Sequence, residues 1–155
     1  MIVKEVGSGI SKRAAKLLLE SGVRGIDVAG AGGTSWAAVE LMRKKESNNY
    51  FREWGLPTSY CIRTVHELKK EFDFTLIASG GIMKGVDIAK SIALGADLAA
   101  SARPILQSVM KTEVEGVAKL VTDWFETVKN IMYLTGSHSL DDLKKNKLKR
   151  KEELI

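Results

Sequence analysis

Val23-Arg24-Gly25-Ile26-Asp27-Val28-Ala29-Gly30-Ala31-Gly32-Gly33-Thr34 runs largely apolar for the length of a strand and then breaks into glycine. Phe74-Thr75-Leu76-Ile77-Ala78-Ser79-Gly80-Gly81 does the same further along. Ile2 to Val6, closed by Gly7-Ser8-Gly9, and Leu98 to Ala102, closed by Arg103-Pro104, read as two more strands of this kind. Near-continuous apolar strands belong to parallel sheets buried on both faces. The segments between them have helical spacing. Ser11 stands as an N-cap before Ala14, Ala15, Leu17, Leu18 and Leu19, and Gly22 ends that helix. Trp36 to Arg43 is a second helix. Pro57-Thr58 opens a third, which carries Cys61, Ile62, Val65 and Leu68, and Gly85 to Leu94 is a fourth. Two amphipathic helices, around Val114 to Leu134 and around Leu140 to Lys149, complete the chain. The order β-α-β-α-β-α-β-α predicts an α/β fold with parallel strands covered by helices. An open doubly wound sheet and part of a (β/α)8 barrel both satisfy it. An eight-unit barrel takes about 250 residues, and the 155 residues here hold about half of one.

Composition narrows the function classes. Hydrophobic residues make up 45% of the chain and charged residues 28%, which supports a packed core and excludes wholesale disorder. The uncharged run Phe74 to Met83 contains glycine and is about half the length of a membrane helix. No basic segment followed by an apolar stretch opens the chain, so no secretory signal is read. The single cysteine, Cys61, excludes an internal disulfide framework and a cysteine-rich zinc site. These features predict a soluble, cytoplasmic protein with no membrane partner. The net charge of +5 is carried by the end of the chain, where Lys144, Lys145, Lys147, Lys149, Arg150 and Lys151 occur with no acid among them. They read either as a solvated helix end or as an interaction arm. No aromatic residue is interleaved with them to stack on bases, so no nucleic-acid partner is expected. The organisation expected is one α/β domain over 1–140 and a basic C-terminal helix or tail over 141–155.

Every glycine-rich segment falls at the C-terminal end of a strand, where parallel sheets hold their ligands. Glycine lets backbone N–H groups approach an anion, and the next helix N-terminus adds partial positive charge. Gly80-Gly81 with Ser101-Ala102-Arg103 form a candidate phosphate cradle, although the same glycines would also serve as tight βα turns. Lys4 lies inside an apolar strand. It either faces an anion or ligand at the mouth of the sheet or reaches solvent at a strand edge. Glu5, alternating with it, is expected to point to the helix layer. His66 reads as a surface residue, His138 as a loop residue, Cys61 as core, and Trp36, Trp54 and Trp124 as packing residues. No His, Cys or carboxylate cluster has metal-ligand spacing, and neither G-x-S-x-G nor GxGxxG is present.

Several segments in order are similar to the type 2 isopentenyl-diphosphate isomerases. They are Val3-Lys4-Glu5-Val6-Gly7, Ile26 to Trp36, Trp54-Gly55-Leu56-Pro57-Thr58, Ala78 to Ile82, Ile92 to Ala99 and Leu134-Thr135-Gly136-Ser137. The likeness runs from Met1 to about Leu148. Gly32-Gly33-Thr34-Ser35-Trp36 separates that family from its relatives, the FMN-dependent 2-hydroxy-acid oxidases, which carry a catalytic histidine after the equivalent strand. The resemblance implies the C-terminal half of a TIM (β/α)8 barrel, strands five to eight. The apolar start at Met1-Ile2-Val3 is then the fifth strand.

What the resemblance implies about function is specific. The family interconverts isopentenyl and dimethylallyl diphosphate in isoprenoid biosynthesis with reduced FMN and Mg²⁺, and NADPH as a source of reduction. Lys4 would face the flavin ring and Thr34 would hydrogen-bond the cofactor. Gly81, Ile82 and Met83, with Ala102 and Arg103, would bracket the FMN phosphate through backbone N–H groups. Two departures stand out. Met83 stands where the family usually has Arg, and Arg103 stands where it has an apolar residue, so Arg103 is expected to supply the missing cation. The residues that grip the substrate diphosphate and the Mg²⁺ ligand precede strand five in that family and have no counterpart here. The chain is thus expected to need a complementary half-barrel, or to self-associate as a homo-oligomer. The alternative is a non-catalytic, self-associating half-barrel that binds FMN or another phosphorylated ligand.

Overall fold

The computed structural model describes residues 1–44, 50–146, 148, 149 and 153. Four short strands, β1 (Ile2–Lys4), β2 (Gly25–Asp27), β3 (Thr75–Ala78) and β4 (Leu98–Ala99), form one parallel sheet in the order β1-β2-β3-β4. Helices alternate with them: α1 (Lys12–Glu20), α2 (Trp36–Lys44), α3 (Thr58–His66), α4 (Gly85–Ala93), α5 (Arg103–Leu134) and α6 (Leu140–Lys145). A doubly wound sheet reverses its strand order at a switch point. Here each strand pairs with the next in sequence, which is the progression of a (β/α)8 barrel.

Alternation along the strands divides the sheet into two faces. Val3, Ile26, Val28, Leu76 and Ala78 face the helices and pack with Ala15 and Leu19 of α1 and Cys61, Ile62 and Val65 of α3. The register aligns Ile2 with Gly25 and Thr75, and Lys4 with Asp27, Ile77 and Leu98. These residues share the other face, which in a barrel is the interior. It is open: Ile2 is 61% exposed and Leu98 55%. A second core joins Ala89 and Ile92 of α4, Val128 of α5 and Leu143 of α6. The division at residue 140 therefore falls at the start of a helix that is packed onto the body.

Several boundaries differ from the sequence reading, each for a local reason. The ladder of β2 spans only Gly25–Asp27, because Ala29 turns to a positive φ of 34° directly before Gly30. Arg103-Pro104 does not merely end β4. Proline is tolerated in a first helical turn, so α5 starts there and runs to Leu134, bending at Glu113 (φ 51°, ψ −146°). The helix expected around Val114 is the part beyond that bend. α6 stops at Lys145 rather than Lys149, and Lys147, Arg150 and Lys151 lie outside the described residues, as do 45–49 of the expected polar loop.

The basic tail is not wholly free. The Lys144 ammonium lies 3.0 Å from Asp97 and that of Lys69 2.6 Å, while Asp97 also accepts the Leu76 N–H at 2.8 Å. Burial alone would raise the Asp97 pKa, but these hydrogen bonds and the Lys69 charge outweigh it and hold the carboxyl below its usual range. His66 is half-buried rather than on the surface, with Nδ1 3.0 Å from the Gly95 carbonyl oxygen. Trp36 and Trp54 are 61% and 69% exposed, so neither is a core packing residue. No helix among the described residues is long and apolar enough to cross a membrane.

Candidate functional site

The loops after all four strands meet at the C-terminal end of the sheet around a cleft of about 440 Å³, within the ~300–1,000 Å³ of ordinary ligand sites. Lys4, Thr34, Gly81, Ile82, Met83, Ala102 and Arg103 all line it. A larger groove of about 790 Å³ lies between α3 and α4, with Leu148 and Lys149 at its edge. It shares the Gly80–Ile82 backbone with the cleft. The smaller cleft holds the convergent donors.

Glycine is required where the β2 and β3 loops touch. At Gly80 (φ +94°) a Cβ would strike the Gly30 carbonyl oxygen and lie 2.7 Å from the Gly30 nitrogen. At Gly81 (φ +77°) it would lie 2.6 Å from the Gly32 oxygen. Two hydroxyls fix the loop from behind: Thr58 donates to the Gly80 carbonyl at 2.7 Å and Ser101 to that of Ile82 at 2.6 Å. The N–H groups of Gly81, Ile82, Ala102 and Arg103 have no acceptor among the described residues. Ala102 is the N-cap of α5 and has no capping side chain, so that helix presents open donors and partial positive charge there.

Met83 is a correction. Its N–H donates to the Asp87 carboxylate at 3.1 Å, as that of Lys84 does at 3.0 Å. Asp87 reaches back to cap α4, so Met83 borders the cleft without a free backbone donor. Glu5 is a second correction. Its carboxylate does not enter the helix layer but accepts the N–H groups of Gly7 (2.6 Å), Ser8 (2.5 Å) and Gly9 (3.0 Å). Burial would raise the Glu5 pKa, but the bonds from Ser8, Gly7 and Gly9 prevail and hold it below the usual carboxylate value. The glycine turn after β1 is therefore filled by its own chain.

Among the described residues, Lys4 and Arg103 are the charged side chains on the cleft lining, and no carboxylate lines it. The Lys4 ammonium donates to the Glu5 carbonyl at 2.8 Å and stands 4.0 Å from the Asp27 carboxylate. Lys4 thus lies on the inner face and reaches solvent too, since that face is open. Asp27 is 4% exposed and accepts the Ser79 hydroxyl at 2.5 Å. Residue reasoning missed Asp27 and Ser79 as parts of the site. The signal was present: an acid inside the second apolar strand matches in kind the lysine inside the first.

Two cations, open backbone donors and glycines that admit close approach suit an anionic, phosphorylated cofactor. Among the described residues no group of His, Cys, Asp or Glu is placed to hold a metal ion. Comparison with known proteins fits this donor set. The profile of the FMN-dependent dehydrogenase family matches residues 1–150. The isopentenyl-diphosphate delta-isomerase of Chlorobium phaeobacteroides is 42% identical over 96% of this chain and 44% of its own length. That of Methanococcus maripaludis is 44% identical over 92% of this chain and 41% of its own. The chain therefore spans less than half the length of these curated relatives. Among solved structures, a mandelate oxidase mutant with (S)-mandelic acid superposes with a TM-score of 0.71 at 20% identity, over 96% of this chain and 39% of that one. A mandelate oxidase with benzoyl-formic acid gives 0.68 at 20%, over 92% and 37%. This likeness bears on the fold alone, and the fold is half of a (β/α)8 barrel.

Proposed function

The chain belongs to the FMN-dependent dehydrogenase family, and from that premise we propose that it is the flavin-holding half of an isopentenyl-diphosphate delta-isomerase. The observation that carries the reading is the convergence of Lys4, Thr34, Arg103 and the open N–H groups of Gly81, Ile82 and Ala102 on one cleft without a lining carboxylate. In this reading the open donors and the Arg103 guanidinium bind the phosphate, and Thr34 hydrogen-bonds the cofactor. Lys4 holds positive charge beside the ring, and Met83 forms an apolar wall. FMN held by these residues would, in its reduced form, supply the acid–base chemistry for moving the substrate's double bond.

Mg²⁺ and a nicotinamide reductant belong to the same proposal, with the metal held by the substrate diphosphate and by residues outside this chain. The partner is a complementary half-barrel, which would pair with the free edges of β1 and β4 and cover Ile2 and Leu98. The reading places the assembly in the cytoplasm and treats residues 1–140 as the FMN-binding unit, with 141–155 as its basic appendage. The exposed inner face also favours a second reading, in which two copies associate into a non-catalytic binder of FMN or another phosphorylated ligand.

The test expresses the chain alone and together with the segment of a curated relative that precedes the matched region. Solution mass, FMN titration and isomerase activity with reduced FMN are measured on each. The first reading expects FMN binding by the chain and activity only with the added half. FMN binding by a dimer that gains no activity from that half supports the second, and no FMN binding in either sample defeats both.

A further inference from the structure

We propose that Asp27 gives the cleft its polarity, offsetting part of the Lys4 charge at the β1 end and so confining a phosphate to the Arg103 end. The inference rests on the flavin reading and adds a specificity-determining residue to it. Asp27 lies in register between Lys4 on β1 and Ile77 on β3, beneath the cleft rather than on its lining. Both of its oxygens are committed. Oδ1 accepts the Ser79 hydroxyl at 2.5 Å and the Ala29 N–H at 3.3 Å, and Oδ2 stands 4.0 Å from the Lys4 ammonium. Those contacts come from β1 and from the loops after β2 and β3, so the carboxylate is held in place from three sides. The Ala29 bond also secures the positive-φ turn that leads into Gly30 to Thr34.

The two ends of the cleft are consequently unlike. The two cations come from opposite edges of the sheet, Lys4 from β1 and Arg103 from the start of α5 after β4. Lys4 has a buried counter-charge below it. Arg103 has no ion-pair partner among the described residues and is joined by open N–H groups. A doubly charged phosphate at the Lys4 end would meet the fixed Asp27 carboxylate, and at the Arg103 end it meets only donors. An uncharged aromatic ring suffers no such repulsion. The cleft therefore accepts a phosphate at one end and a ring at the other in a single orientation.

The test titrates the full chain, isotopically labelled, with inorganic phosphate and follows backbone amide and lysine side-chain NMR signals. In the wild type, phosphate shifts Gly81, Ile82, Ala102 and Arg103 and leaves Lys4 in place. Asp27→Asn adds a saturable phosphate response at Lys4, with affinity there raised about tenfold. Adding Lys4→Met to Asp27→Asn abolishes that response. A residue that only supported the fold would move the spectrum without creating a phosphate-dependent signal. If wild-type phosphate shifts Lys4 as strongly as Arg103, or Asp27→Asn keeps the wild-type pattern, the proposal is wrong. If wild-type phosphate shifts neither end, the phosphate cradle of the proposed function fails, and the gain at Lys4 in Asp27→Asn still decides this inference. Should Asp27→Asn lose its dispersed spectrum, Ser79→Ala takes its place. It frees Oδ1 and is expected to give a weaker Lys4 response, and a folded Ser79→Ala protein without one overturns the proposal.

Discussion

Two glycine turns stand at the C-terminal end of the sheet, Gly7 to Gly9 after β1 and Gly80-Gly81 after β3. Both carry positive-φ glycines with consecutive N–H groups, and their strands run in register, Lys4 level with Ile77. The first is closed by the Glu5 carboxylate, which takes three N–H groups itself. The second keeps its donors open, while its carbonyls are tied down by Thr58 and Ser101. A glycine turn is thus an anion site only when the chain does not provide the anion. The difference is made by one acid two residues before the turn, where β3 places an alanine, Ala78.

The largest blow to this contrast is Gly80→Ala. The new Cβ meets the Gly30 backbone and the 2.9 Å neighbour Thr58 Oγ1, in a conformation that L side chains rarely adopt. Loss of about 2–4 kcal/mol of stability is expected, with FMN binding abolished. Gly22→Ala is the control, since it shares the positive φ but has nothing within 4 Å. It should destabilise less and leave FMN affinity unchanged. Equal losses in thermal melts and flavin titrations would mean that the close packing of the β2 and β3 loops is unimportant.

A smaller effect is expected at the open turn's cation. Arg103→Leu removes the side-chain charge beside the free N–H groups and should weaken FMN binding about tenfold, the value of one charge-assisted contact in a partly exposed site. Met83→Arg, placed on the same cleft, should restore part of that affinity in the Arg103→Leu background. Flavin fluorescence titration measures both, and an Arg103→Leu protein with wild-type affinity would show that the backbone donors suffice.

How much of this was legible depended on whether a feature was carried by residue type or by backbone shape. The Gly80-Gly81 and Arg103 positions follow from strand order and from the rule that ligands gather at strand C-termini, and the structure brings them together. Lys4 on the inner face follows from alternation. Alternation, extended one residue beyond the ladder, puts Glu5 in the helix layer; β1 ends at Lys4, and the chain then turns. Pro104 reads from sequence as a strand stop, and it also suits the first turn of α5. Met83 lines the cleft, but Asp87, four residues on, takes its N–H to cap α4. Glu5 and Met83 both turn on which of two partners takes a backbone donor, and composition does not report that competition.

The gentlest way to separate the two turns is to remove the charge from the closed one. Glu5→Gln keeps an acceptor but loses ionic character in its bonds to Gly7, Ser8 and Gly9. Such bonds contribute more than neutral ones, yet Glu5 is partly exposed, so about 1 kcal/mol at neutral pH is expected. The pH dependence fixes the assignment. The folded pKa of Glu5 lies below that of the unfolded chain, so the unfolded state binds its proton first as pH falls. The stabilisation is fully present above the unfolded value, near 4.5, and is lost as pH drops through the lower folded one. Denaturant melts of wild type and Glu5→Gln should therefore differ at about pH 7 and converge as the pH falls through the lowered folded pKa. A gap that persists in acid would trace the loss to shape rather than charge. The turn after β1 would then be held by its glycines alone, and the contrast with Gly80-Gly81 would rest on backbone conformation instead of on who supplies the anion.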